Sequence, residues 1–170
     1  ANPLDRDLMT WLVNDMNSSK ADWKIVAYHH PAFNTSVSHY DDQQMRLIAP
    51  VLEDLKVDLV LAGHVHNYQR SFPLKFELKL DSTGRRYVVT PEGRVDGTFK
   101  LDEKFDGVTN TKPNGIVYIV SGSGGARLYD SQLTNNPELW KHDLPTNWVP
   151  FTAKLVSDIH SFTRIETDGK

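Results

Sequence analysis

The stretch "VDLVLAGHVHNYQR", residues 57–70, decides how the chain is read. Its first six residues are short, apolar and rich in β-branched or large side chains, interrupted only by Asp58, the pattern of a buried strand. Gly63 lets the backbone turn tightly, and His64 and His66 follow one residue apart. In an extended segment residues i and i+2 face the same way, so these two imidazoles can point together into one site. A second run, "WKIVAY" at residues 23–28, has the same character and is also followed at once by histidine, here His29 and His30.

Between the two runs, "DDQQMRLIAPVLEDL" (residues 41–55) carries Met45, Ile48, Leu52 and Leu55 at helical spacing. Asp41 and Asp42 stand where a helix N-terminus favours acids, and Pro50 bends this helix or starts its second half. Strand, helix and strand in this order make a crossover unit, so the two strands are expected to be parallel neighbours whose C-terminal ends share one edge. Open α/β sheets bind ligands at that edge, which is where both histidine pairs fall.

Outward from this unit, Leu4, Leu8, Trp11, Leu12 and Met16 recur at helical spacing, predicting a first helix with one buried face that ends near "NSSK", residues 17–20. After Arg70, "LKFELKL", "DSTG" and "RRYVVT" (residues 74–90) predict a β-hairpin with one wet face. Residues 90–114 are polar and glycine-containing, an excursion over the surface. "GIVYIVSGSGG" (residues 115–125) predicts a third buried strand entering a glycine-rich turn, and "HSFTRIETDG" (residues 160–169) alternates like an edge strand. Trp140, Tyr129 and Trp148 are expected to cap the core, with a lid over the site as the alternative.

The 170 residues suit one domain or a substantial piece of one, and 39% hydrophobic with 24% charged residues is a globular composition. A net charge of −3 gives no electrostatic footprint for nucleic acid, and no apolar segment reaches bilayer length. With no cysteine, disulfides, thiolate catalysis and cysteine zinc sites are excluded, so any metal is held by nitrogen and oxygen. The expected partners are small molecules or metal, not nucleic acid or membrane. The opening "ANPLDRDLMTWL" has neither an initiator methionine nor a signal-like apolar stretch, the pattern of a mature product or an internal piece.

A lone histidine at a strand end is more often a surface residue than a ligand. Two histidine pairs at the ends of adjacent strands point instead to a metal site built by convergence. Imidazole is the commonest protein ligand for divalent transition metals, and a set of neutral imidazoles suits zinc, iron or manganese rather than calcium. His30 is expected to point away from His29, as alternation in a strand requires.

"VAYHHPAFNTSVSH" (residues 26–39) followed by "VDLVLAGHVHNYQRSFP" (residues 57–73) resembles the C-terminal half of the calcineurin-like metallophosphoesterases, most closely the purple acid phosphatase branch. "NGIVYIVSGSGGARLYD" and "HSFTRIETDG" are similar to the same branch. The resemblance implies an α/β fold, the C-terminal half of a two-sheet αββα metallophosphoesterase sandwich with a β-hairpin excursion, residues 1–170 forming the C-terminal part of its catalytic domain. It implies that His29 and His64 bind one metal of a dinuclear pair and His66 the other, the metals being iron, zinc or manganese. It also implies that His39 is the substrate-side catalytic histidine. The activity it implies is hydrolysis of a phosphoester by a metal-bound hydroxide, in a secreted or periplasmic protein.

The family's earlier motifs, an aspartate–histidine pair, a Gly-Asp segment and a Gly-Asn-His segment, are absent. The chain is therefore expected to supply the histidine half of the site, with the missing N-terminal half of the domain as its partner, and to homo-oligomerise when alone. Gln69 stands where the branch commonly has glutamate, and Tyr68, Gln69 and Arg70 are expected to brace the loop. The glycine cluster of residues 122–125 reads as a tight turn near the site. Two readings from other classes compete: a non-catalytic metal-binding module built on His29, His64 and His66, and a carbohydrate-binding or adhesion β-module using the region of Trp140 and Trp148.

Overall fold

The computed structural model describes residues 5–84, 86–91, 93–141 and 149–167. The first helix, α1 (Arg6–Ser18), starts where Asp5 Oδ1 accepts from the backbone N–H groups of Asp7 and Leu8 at 3.1 and 3.0 Å. Leu12 and Met16 are buried, but Leu8 and Trp11 remain 45% and 61% exposed, so the buried face is narrower than the spacing predicts. The exposed pair borders a cleft of about 520 Å³ that continues past Tyr28 and Met45 to His29 and His30.

The crossover forms as expected. Strand β1 (Ile25–Tyr28) pairs parallel with β2 (Leu59–Ala62), Tyr28 lying beside Ala62, so both strands deliver the chain to the same edge. Between them a 3-10 turn, Gln44–Ile48, runs straight into α2 (Ala49–Asp54). Pro50 sits in the first turn of α2, where its missing N–H costs nothing, so it starts the second half of this segment rather than bending one long helix. Strand β1 alternates between exposed and half-buried instead of being buried throughout, because it forms one margin of the sheet.

The five-stranded sheet continues with β6 (Val117–Ser121), parallel to β2, then β3 (Tyr68–Ser71) and β7 (Thr152–Val156), each antiparallel to its neighbour. Tyr68, Gln69 and Arg70, expected to brace a loop, thus lie in a strand of the main sheet. The second sheet is a two-stranded pair, β4 (Leu74–Leu78) with β5 (Gly97–Leu101). The expected hairpin is longer than its turn signal suggests: among the described residues of 80–95 the pairing consists of the isolated bridges Leu80–Tyr87 and Val89–Val95, before β5 returns along β4. Alternation in β4 places Leu74 and Phe76 inward, and Phe99 of β5 meets Phe76 with ring centroids 5.0 Å apart, which fixes that register.

The tail of residues 161–167 forms no strand; it is tied at Ser161, whose backbone and hydroxyl both bond Ser123, and at Thr163, whose Oγ1 donates to Ser121 Oγ at 3.0 Å. Its alternation does not make it a sheet edge because β7 already occupies that margin.

The core lies between the two sheets and α2. Phe33, Phe76, Phe99 and Phe151 surround the Arg46 guanidinium at 5.1 to 5.8 Å, and Arg46 Nε donates to the Ala32 carbonyl at 2.9 Å. A charge 1% exposed is tolerated here because aromatic faces and a carbonyl replace its water. This contact also pins the segment that leads from the β1 end toward His39.

Candidate metal centre

Strand β1 ends at Tyr28 and strand β2 at Ala62, and the residues immediately after them turn out of the sheet together, Gly63 N donating to the His29 carbonyl at 3.0 Å. That hydrogen bond brings the two histidine segments face to face. His29 Nε2 and His64 Nδ1 lie 3.1 Å apart. Two nitrogens bound to one ion of zinc size, each at about 2.0–2.1 Å, are separated by about that distance, so the pair fits a shared divalent transition metal. His64 holds a left-handed backbone, φ 62°, as does His39 with φ 60°. Histidine is among the few side chains enriched there, and such conformations persist where surrounding contacts impose them.

His30 does not point away. Its ring centroid lies 5.1 Å from that of His29 and 4.1 Å from that of His64, and one nitrogen from each of the three rings lies within 4.8 Å of the others. Alternation fails because the strand has already ended, a boundary that Pro31 signals in the sequence because it has no N–H to continue a ladder. Asp42 Oδ2 lies 2.7 Å from His30 Nδ1, so this carboxylate, expected to start a helix, serves the site instead.

His66 stands outside that group of three. Its Nδ1 donates to the Arg127 carbonyl at 2.8 Å, an acceptor only, so the proton sits on Nδ1 and the lone pair on Nε2. Tyr129 stacks on its ring at 4.1 Å and 14°, while Tyr129 N donates to the His66 carbonyl at 3.0 Å. Tyr129 therefore serves the site rather than capping the core. His39 bridges the two groups: its ring lies 4.4 Å from His64 and 5.9 Å from Tyr129.

The pKa of His64 is lowered, first by burial, then by the neighbouring His30, His39 and His29 rings, against a smaller opposing pull from Asp42. Lowering favours the neutral imidazole that a metal requires.

A buried polar network holds these loops in register. Gln69 Nε2 donates to Asn34 Oδ1 and Asn67 Oδ1 at 2.8 and 2.9 Å, and its Oε1 accepts from Thr35 N at 2.7 Å. Asn34 Nδ2 donates to the Ser38 carbonyl, one residue before His39, at 2.8 Å. Asp130 Oδ2 accepts from Ser38 N at 2.9 Å and from Ser36 Oγ, joining the loop after β6 to the same network. Gly122 completes the fit: a Cβ there would lie 2.0 Å from the Val65 carbonyl oxygen, in the middle of the "HVH" segment. The glycine-rich turn is thus a close backbone approach. Trp140 Nε1 donates to the Leu133 carbonyl at 3.1 Å, while His142 and Trp148 lie outside the described residues.

A mixed α/β fold gathers imidazoles at the carboxyl ends of adjacent parallel strands, a group that could hold a metal ion. Comparison with known proteins finds similarity to one family. The family model described as Calcineurin-like phosphoesterase matches residues 2–68. Purple acid phosphatase 21 of Arabidopsis thaliana is 34% identical over 92 residues, 51% of this chain and 21% of that protein. An uncharacterized protein of Mycobacterium tuberculosis is 31% identical over 126 residues, 71% of this chain and 20% of its own length. The solved structure of the purple acid phosphatase PPD1 from yellow lupin seeds superposes with a TM-score of 0.48 at 17% identity, covering 88% of this chain and 22% of that one. The family match over residues 2–68 and the purple acid phosphatase relatives support reading the chain as a fragment of a metallophosphoesterase of that branch. It spans about a fifth of the length of these relatives.

Proposed function

We propose that the chain supplies the histidine half of a dinuclear site that hydrolyses phosphoesters, as the C-terminal part of a larger catalytic domain. The observation that carries this reading is the His29–His64 nitrogen pair, 3.1 Å apart at the ends of two parallel strands, with His39 alongside. His29 and His64 would hold one ion and His66, through its free Nε2, the other. Bound iron, zinc or manganese would supply Lewis acidity toward the phosphoryl oxygens.

The chain's own residues do the rest. His39, exposed and held on its loop by Asn34 and Asp130 contacts to Ser38, faces the substrate side, where it contacts the phosphate or gives a proton to the leaving oxygen. The Arg127 carbonyl keeps the His66 proton on Nδ1, and Tyr129 keeps its ring from rotating.

Two metals close together repel and need anionic ligands, which neutral imidazoles do not provide. The bridging carboxylate and asparagine belong, in this reading, to the N-terminal half of the domain. The margin strand β1 is where isolated copies would associate in its absence, and the whole protein would work outside the cytoplasm, secreted or periplasmic.

The test compares p-nitrophenyl phosphate turnover, in excess zinc, manganese or iron, by the 170-residue chain and by a longer form that adds those motifs. Turnover is expected only in the longer form. There, His39→Ala is expected to lower kcat by about 10² to 10⁴ with bound metal unchanged. Equal turnover by both forms, or loss of metal in His39→Ala, overturns the assignment.

A further inference from the structure

The geometry points to a third imidazole ligand: His30, steered by Asp42, joins His29 and His64 in a three-histidine centre for one divalent ion of the zinc or cobalt type. The inference rests on the reading of His29 and His64 as a ligand pair and adds to it two residues that the sequence pattern assigns elsewhere.

Three observations carry it. First, the three rings converge, with one nitrogen of each within 4.8 Å of the others, the arrangement from which small side-chain rotations bring three ligands onto one ion. Second, Asp42 Oδ2 sits 2.7 Å from His30 Nδ1. A carboxylate accepts only, so the ring proton is held on Nδ1 and the lone pair is left on Nε2, the carboxylate–histidine pairing that orients metal-binding imidazoles and raises their basicity. Third, the carboxylate places a negative charge behind the ligand set, which three neutral rings lack.

The competing account treats His30 and Asp42 as a solvated surface pair. At 47% and 34% side-chain exposure such a pair adds little stability. It explains neither why His30 turns toward His64 nor why His64 holds a left-handed backbone that brings its ring to the cluster. Nearby acids alone would favour calcium or magnesium, but an all-nitrogen set selects a transition ion.

The experiment is a cobalt titration of the 170-residue chain, read by visible absorption, with zinc as competitor. One equivalent is expected to bind. His29→Ala and His64→Ala are expected to abolish binding, His30→Ala to weaken it at least about 10-fold, and Asp42→Asn to weaken it by about 10-fold or more. Circular dichroism of each variant checks that it folds. On the unsubstituted chain, long-range proton–nitrogen NMR is expected to move the His30 Nε2 resonance on adding zinc, a readout that needs no variant.

If His30→Ala binds within twofold of the parent while His29→Ala fails, the third ligand is overturned and the His29–His64 pair stands. If Asp42→Asn binds as the parent does, the steering role is overturned. If the parent chain binds no cobalt, or if His29→Ala and His64→Ala bind normally, the centre itself is overturned, and a phosphatase assay of the longer form would still decide the hydrolase reading separately.

Discussion

Gln69 Nε2 donates to Asn34 Oδ1 across 2.8 Å, joining strand β3 of the sheet to the loop that carries His39. The same amide reaches Asn67, the residue after His66, so one buried side chain spans both histidine-bearing segments. Its orientation is fixed because Asn34 Oδ1 also accepts from Ser36 N at 2.9 Å and so cannot offer a donor in return.

Gln69→Glu is therefore expected to destabilise the fold by about 2 kcal/mol at neutral pH, since a carboxylate would face acceptors where the amide now donates. Its folded-state pKa would be raised, so the loss is greatest above that pKa and shrinks as pH falls through it, when the protonated acid can donate again. Urea unfolding of both proteins at pH 5 and pH 8 measures this; an equal deficit at both would contradict it.

Gly122→Ala is expected to cost about 2 kcal/mol or more, because the new methyl would meet the Val65 carbonyl oxygen, a backbone atom that cannot rotate aside. The required shift displaces the segment between His64 and His66. Thermal melting reports the stability loss, and cobalt affinity should fall with it. Gly124→Ala, with nothing within 4 Å of the added atom, is the matched control.

Burial raises the pKa of Glu53 more than the Phe76 backbone hydrogen bond and Lys75 lower it. The folded chain thus holds this proton more tightly than the unfolded chain, and stability falls as pH rises from about 4.3 through the raised value. Glu53→Gln keeps an oxygen for Phe76 N and removes the titration. It is expected to be more stable than the parent at pH 7, by under about 1 kcal/mol given the partial exposure, and no more stable below pH 4. A parent and variant with parallel pH–stability curves would refute this.

The hydroxyl oxygens of Tyr28 and Tyr118 are buried without a hydrogen-bond partner among the described residues, and burial raises both pKa values. Removing an unpaired hydroxyl removes a desolvation cost, so Tyr118→Phe is expected to stabilise by about 1 kcal/mol. A loss of similar size on denaturant unfolding would mean that the oxygen is bonded in solution.

The crossover was legible because its signals are local: β-branched runs for β1 and β2, helical spacing between them, and histidines at both strand ends. The pairing partner of β4 was not, since "RRYVVT" lies nearer in sequence than residues 97–101 and alternates as well. The more distant strand is selected by its ladder with β4, in which Phe99 pairs directly with the buried Phe76. In the site, the His29–His64 meeting followed from parallel pairing. His30 was misread because a two-residue period was applied past the strand end, and Asp42 because its helix-start position looked sufficient. Tyr129 carries no local signal: it meets His66 only because β6 lies beside both β2 and β3 in the sheet.

The positive φ of His64 and His39 limits what evolution or an engineer can write at either position. A left-handed backbone admits Asn, Asp, His and Gly readily, while β-branched residues meet their own carbonyl there. Position 64 can thus trade an imidazole for an amide or a carboxylate, moving the proposed centre toward harder ions, without rebuilding the turn. It cannot trade it for threonine or valine at the same backbone. The handedness of one residue acts as a filter on the site's future ligand chemistry.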